Sequence, residues 1–226
     1  MLVLKQLLKD FPDKYVVDFL VSGFTHGFRV GCFNKDELIS VNRNNKSAFQ
    51  FKSGVDEAIK KEVSRGHTLG PFCQIPIENF HRSPMGADPK KDGSVRLCLD
   101  LSSPQGFSVN DGICKEDYSV QYSSFDDALK LVLELGAGCY MGKIDLKHAF
   151  RICPVHPNDW HLLGFKWDDL YYFDIVLPFG LRSSPFIFDS FADALQWIMQ
   201  LVYRVQNILH YLDDYFQAEQ SFNMSS

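Results

Sequence analysis

A chain of 226 residues that is 46% hydrophobic can bury a sizeable core, and 23% charged residues give no sign of intrinsic disorder. Its net charge of −5 and pI near 5.8 argue against a basic protein that coats nucleic acid, yet leave room for an enzyme with an acidic, cation-binding centre. Six cysteines without a C-x-x-C pair exclude a zinc ribbon or dithiol redox motif, and no run reaches the roughly 18 apolar residues of a membrane span.

The opening "MLVLKQLLKDFPDKY" lacks the apolar run and cleavage site of a signal peptide, and scattered single cysteines suit a reducing compartment. The expectation is an intracellular chain with no membrane partner, with cytoplasm and nucleus both open. Residues 1–52 read as an extension or linker. Ser53 then opens a helix on capping-box spacing with Asp56, with Val55, Ile59 and Val63 on one face and Gly66 ending it. In "SPMGADPKKDGSVRLCLDLS" (83–102), two strand-like runs flank the Asp92-Gly93 turn and predict a hairpin.

A second helix is expected over about 124–135, capped by Ser124 with Asp127, striped by Phe125, Ala128, Leu129 and Val132, and stopped at Gly136. "CYMGKIDL" reads as a buried strand, and "LLGFKWDDLYYFDIVLP" as strand, turn, strand. Pro185 suits the first turn of a long helix with Ser184 as a candidate cap, and Ile187, Phe191, Ala194, Ile198 and Leu201 repeat at helical spacing. A strand-turn-strand around Asp213 closes the chain. This order predicts an α+β fold, an antiparallel sheet with helices on one face.

Three aspartates stand at ends of predicted strands: Asp145 in "KIDL", and Asp213 and Asp214 in "YLDD". Burying an ionised carboxylate alone costs several kcal/mol, so such residues need partners. Two Mg²⁺ ions about 4 Å apart would satisfy them and could drive phosphoryl transfer. Taken alone, an Asp-Asp pair between apolar runs also fits a solvated turn. His148, His156, His161 and His210 share no metal spacing with the cysteines and read as structural or surface residues.

"KIDLKHAFRICPVHP", "LPFGLRSSPFIF" and "YLDD", in that order, resemble the A, B and C motifs of reverse transcriptases, and "GADPKKDGSVRLCLDLS" resembles their fingers hairpin. The wording of "SPMGADPKKDGSVRLCLDLSSPQGFSVNDGI", "SFDDALKLV" and "LGFKW" is similar to the DIRS-like retrotransposons, which pair a reverse transcriptase with a tyrosine recombinase. The resemblance covers roughly residues 65–217. It implies a right-hand polymerase fold over 53–226, with fingers at about 65–120 and 153–180 and an incomplete palm at about 121–152 and 181–226. No thumb is expected within this stretch, and other polyprotein regions (thumb, ribonuclease H, recombinase) are implied as partners.

The resemblance further implies that Asp145 and Asp213 bind two Mg²⁺ ions, with Asp214 as a supporting acid and ligand and the Leu146 carbonyl as a further contact. Phe150 falls at the steric-gate position that favours deoxynucleotides; without the motif it would read as a core aromatic. Arg96, with Lys90 or Lys91, matches the grip on an incoming triphosphate, a task for which a forked guanidinium and a compact ammonium are suited. Phe179 and Gly180 fall in the motif B loop. Many retroviral enzymes carry glutamine where Phe179 stands, so this residue acts by packing. The implied function is RNA-directed DNA synthesis from dNTPs on a primed RNA or DNA template. A truncated, inactive relic that at most binds nucleic acid is the alternative. A metal-dependent phosphohydrolase would leave "PKKDGSVR" and "LPFGLRSSP" without a role.

Overall fold

The computed structural model describes residues 2–41 and 43–220, so the end of the expected palm stretch, 221–226, lies outside the described residues. In chain order the elements are α1 (Leu2–Leu7), α2 (Lys14–His26), α3 (Lys46–Gln50), α4 (Lys52–Ser64), β1 (Thr68–Phe72), β2 (Met85–Pro89), β3 (Val95–Leu99), α5 (Phe125–Leu135), β4 (Tyr140–Asp145), β5 (Gly164–Trp167), β6 (Leu170–Asp174), α6 (Ser184–Leu201), β7 (Ile208–Tyr211) and β8 (Asp214–Glu219). Helices and antiparallel sheets are thus mixed, as the α+β reading expects. Two compact units form. One comprises Met1–Val21, Ser119–Ala149 and Pro185–Ser226, the other Ser22–Tyr118 and Phe150–Ser184.

The first unit holds the sheet β4-β8-β7, with Tyr211 opposite Asp214 and Asp145 opposite Asp214 in register. Helix α6 buries Ile187, Phe188, Ala192, Ala194 and Ile198, and Tyr215 of β8 donates its hydroxyl to the Ala192 carbonyl, fastening helix to strand. Helix α5 carries the expected reciprocal capping box between Ser124 and Asp127, and its C-cap Gly136 takes φ +83°. "CYMGKIDL", expected as a buried strand, is instead an exposed edge: every residue of β4 is exposed, because β4 pairs with β8 on one side only. The apolar stripe of α5 is likewise uncovered at Phe125, Leu129 and Leu133.

The second unit holds the sheet β1-β6-β5 and the hairpin β2-β3. Asp168 and Asp169 both adopt positive φ in the tight β5-β6 turn, and Gly93 does so between β2 and β3. Ser53 does not cap α4. The chain enters that helix from α3 through Phe51, so Ser53 already lies inside the first turn. Ser184 also differs from its expected capping role, donating its hydroxyl back to the Pro178 carbonyl at 3.0 Å.

Residues within the stretch read as extension or linker carry specific contacts. Asp159, almost wholly buried, accepts from Arg29 (2.7 and 3.0 Å), from the Val30 amide (3.0 Å) and from Lys35 (2.8 Å). Asn44 accepts from the Met85 amide, and Ser47 from the Ala87 amide, so this segment braces β2.

Candidate functional site

The carboxylates of the first unit are placed by sheet register. Asp145 ends β4 and Asp214 begins β8, and the two are direct antiparallel neighbours. Leu212 takes φ +53° at the turn between β7 and β8. Just beyond the end of β4, the Leu146 amide donates to the Asp213 carbonyl at 2.9 Å, stitching the "KIDL" segment to the "YLDD" turn. The three acidic residues therefore converge through pairing of backbones that lie 67 to 69 positions apart in sequence. The Leu146 carbonyl accepts from the Ala149 amide at 3.3 Å, which occupies one of its two lone pairs.

Lys143 supplies a cation to this cluster. Its Nζ lies 3.0 Å from Asp214 Oδ2, and the hydrogen bond to Asp214 raises its pKa, with the charges of Asp145 and Asp213 adding to the effect. The ammonium sits on Asp214, and the all-oxygen donor set of the three aspartates suits Mg²⁺. These residues fit the ion that the sequence implies. Their ligand atoms are not drawn into one tight trio, however. Among the described residues, the group whose ligand atoms all lie within 4.8 Å of one another is Asp189, Asp193 and His210.

In the second unit, Arg96 stands on β3 and Lys90 and Lys91 sit at the β2-β3 turn, where the Lys90 amide closes onto the Ser94 carbonyl at 2.8 Å. All three side chains are exposed, and none forms a salt bridge among the described residues. The Arg96 guanidinium lies over the Phe179 ring, 5.1 Å from its centroid. Phe179 in turn packs against Phe150, 5.3 Å between centroids at 52°. Three of the residues singled out in the sequence thus form one continuous stack.

Two latches hold that stack. Gly180 has φ +96°, and a Cβ there would sit 2.3 Å from the Leu99 carbonyl oxygen, so only glycine lets the loop press against the end of β3. Asn110 donates to the Gly180 carbonyl and accepts from the Arg182 amide, both at 2.8 Å, while Arg182 returns hydrogen bonds to the carbonyls of Asn110 and, at 2.7 Å, Ile113. Beside Phe150, the buried Arg151 guanidinium binds Glu62 (3.0 and 2.8 Å) and Asp174 (2.6 and 3.1 Å). Burial opposes that charge, but the two carboxylates outweigh it and raise the Arg151 pKa.

Sequence reasoning missed Lys143, Asn110, Arg151 and Arg182, none of which stands out without the fold. The trio with His210 was partly legible: Asp189 and Asp193 have i,i+4 spacing in a predicted helix. His210 is buried, as one of the two readings offered for it has it.

Comparison with known proteins adds to this geometry. No protein-family profile matches the chain. It is 25% identical over 148 residues to the Pro-Pol polyprotein of feline foamy virus, covering 65% of this chain and 11% of that one. It is 22% identical over 142 residues to the Transposon Tf2-3 polyprotein of Schizosaccharomyces pombe, covering 63% and 10%. The chain therefore spans about a tenth of the length of these polyproteins. Its fold is similar to the foamy viral protease-reverse transcriptase solved with an RNA/DNA hybrid, at TM-score 0.61, 18% identity, 97% of this chain and 29% of that one. The selenomethionine-labelled Prototype Foamy Virus protease-reverse transcriptase mutant is matched at TM-score 0.58, 21% identity, 80% and 21%. In sequence the chain is thus similar to parts of retroviral and retrotransposon polyproteins, and in fold to the foamy viral protease-reverse transcriptases.

Proposed function

We propose that this chain is the RNA-directed DNA polymerase part of a retroelement polyprotein of the DIRS-like type, with its first unit as palm and its second as fingers. The observation that carries the reading is the pairing of Asp145 with Asp214, reinforced by the Leu146–Asp213 backbone hydrogen bond. It draws two motifs far apart in sequence into one carboxylate cluster.

In this reading a primer 3′-hydroxyl attacks the α-phosphate of a dNTP and pyrophosphate leaves. Asp145, Asp213, Asp214 and the Leu146 carbonyl would hold two Mg²⁺ ions. Bound there, the ions supply Lewis acidity at the reacting phosphate and lower the pKa of the attacking hydroxyl. Arg96, with Lys90 or Lys91, grips the triphosphate oxygens, and its lack of a carboxylate partner among the described residues leaves its donors available. Phe150 sits under the sugar and disfavours a 2′-hydroxyl. Base pairing with the template supplies sequence selectivity, so the protein needs mainly backbone contacts. Foamy viral relatives of this fold have been solved with double-stranded DNA and with an RNA/DNA hybrid, which supports a primed nucleic-acid partner.

Primer extension on an RNA template tests the reading. Extension by the wild-type chain should fall at least a hundredfold in Asp145→Asn and Asp213→Asn; synthesis that survives both changes would sink it. The second reading, a non-catalytic relic that binds nucleic acid, is favoured by one contact, the Lys143 ammonium held on Asp214. Duplex binding that weakens with salt, without any extension, would select it.

A further inference from the structure

Asp189, Asp193 and His210 have no part in the polymerase reading. The two aspartates lie one turn apart on α6, and His210 meets them from β7. His210 Nε2 is 3.5 Å from Asp189 Oδ1 and 3.7 Å from Asp193 Oδ1. Two arrangements compete for such a trio. An imidazolium bound directly to a carboxylate would close to about 2.7–2.9 Å. Around a tetrahedral Zn²⁺ with bonds of about 2.0–2.1 Å, adjacent ligand atoms stand about 3.3–3.4 Å apart. The observed separations lie closer to the tetrahedral edge than to the charged hydrogen bond.

The imidazole is also oriented as a ligand should be. Its side chain is 7% exposed and stacks on Tyr215 at 5.5 Å between centroids. Nδ1 lies 2.7 Å from Gln196 Oε1, and with the amide in this orientation Nδ1 is the donor. In the neutral ring the lone pair is then on Nε2, aimed at the two carboxylates. An outer hydrogen bond of this kind, which fixes tautomer and ring angle, accompanies almost every metal-bound histidine. Asp193 is 62% exposed, which gives an ion a path from solvent and leaves room for water in the coordination shell.

We propose that Asp189, Asp193 and His210 bind one Zn²⁺-type transition-metal ion through two carboxylate oxygens and one imidazole nitrogen, with solvent completing the tetrahedron. This site differs in kind from the all-oxygen Asp145–Asp213–Asp214 cluster, since an imidazole favours borderline transition ions over Mg²⁺. The ion would tie α6 to β7, the strand that leads into the Asp213–Asp214 turn.

The test is a Zn²⁺ titration of the full ¹⁵N-labelled chain, following the His210 imidazole nitrogens, which are assigned by their loss in His210→Gln. One equivalent of Zn²⁺ should shift Nε2, and Mg²⁺ at the same concentration should not. Zn²⁺ affinity should fall at least tenfold in Asp189→Asn and about 10- to 100-fold in Gln196→Leu. In Asp213→Asn it should be unchanged. Nitrogens that respond to pH but not to Zn²⁺ would mean an ion pair only and overturn the proposal. Zn²⁺ uptake that leaves His210 unmoved would overturn it too, by assigning the ion to the cysteines or the Asp145 cluster. Should His210→Gln not fold, through-bond correlation from the His210 backbone identifies its ring nitrogens, and the wild-type spectrum still decides the matter.

Discussion

Residue 179 shows how one substitution can change the way a site is held together. A glutamine there could hydrogen-bond; phenylalanine cannot, yet its ring lies under the Arg96 guanidinium and beside Phe150. The ring thereby holds a flexible cation in one plane without using any of its five N–H donors, all of which remain available to phosphate. An exposed cation–π contact is worth about 0.5–1 kcal/mol, or about two- to fivefold in affinity. Phe179→Leu, which keeps apolar volume but removes the π face, should weaken dATP binding by about that factor in titration calorimetry. Phe179→Tyr should retain wild-type affinity. If Arg96→Ala weakens dATP binding while Phe179→Leu does not, the ring has no role in orienting the guanidinium; if neither variant matters, the triphosphate grip itself is misassigned.

At the scale of elements, local signals were legible where the chain answers only to itself. The Ser124–Asp127 box of α5 and the Asp92-Gly93 turn are fixed within a few residues, and both form as read. Ser124→Ala should therefore lower stability by about 1 kcal/mol, read as a shift in the urea midpoint at unchanged slope. What failed was any inference that needs a neighbour. "CYMGKIDL" has the composition of a buried strand, but burial depends on which elements cover it, and β4 is an edge. Ser53 had a capping sequence, but α3 enters α4 directly and shifts the helix start to Lys52. The candidate site divides in the same way. Its aspartates, Arg96 and Phe150 stood out by motif, whereas Lys143, Asn110 and Arg151 act through partners 70 to 89 residues away, and Arg151 also through Asp174, 23 residues away. The edge has a consequence of its own. Tyr140, Met141 and Ile144 line an exposed strand with an open row of backbone donors and acceptors, which templates pairing with other chains. Met141→Glu should reduce concentration-dependent association in sedimentation velocity and leave the melting temperature within about 2 °C; association that persists would place the sticky surface elsewhere.

Across the whole molecule, the second unit concentrates groups whose protonation opposes folding. His81 is 4% exposed, and its Nε2 has no hydrogen-bond partner among the described residues. Burial first, then the positive neighbours His161 and Arg82, push its pKa from 6.5 down to about 4. The unfolded chain therefore takes up this proton at a pH where the folded chain refuses it. The stability that His81 contributes is complete above pH 6.5 and is lost as pH falls toward 4, a change of about 3 kcal/mol. Glu62 and Asp159 act lower on the scale. Burial tends to raise both, but Arg151 with His67 holds Glu62 below 4.5, and Arg29 with Lys35 and the Val30 amide holds Asp159 below 3.8. Their contributions are present above those ordinary values and vanish only as pH drops through the depressed ones. Two limbs of acid destabilisation should result. Urea midpoints followed by tryptophan fluorescence should decline between pH 6.5 and 4. In His81→Leu that first limb should flatten while the steeper fall below pH 4 persists. Hydrogen exchange should then report the first loss in segments 22–118 and 150–184, the unit that holds His81. An unchanged upper limb in His81→Leu would mean that another group carries the loss between pH 6.5 and 4, His161 first, since burial lowers its pKa too.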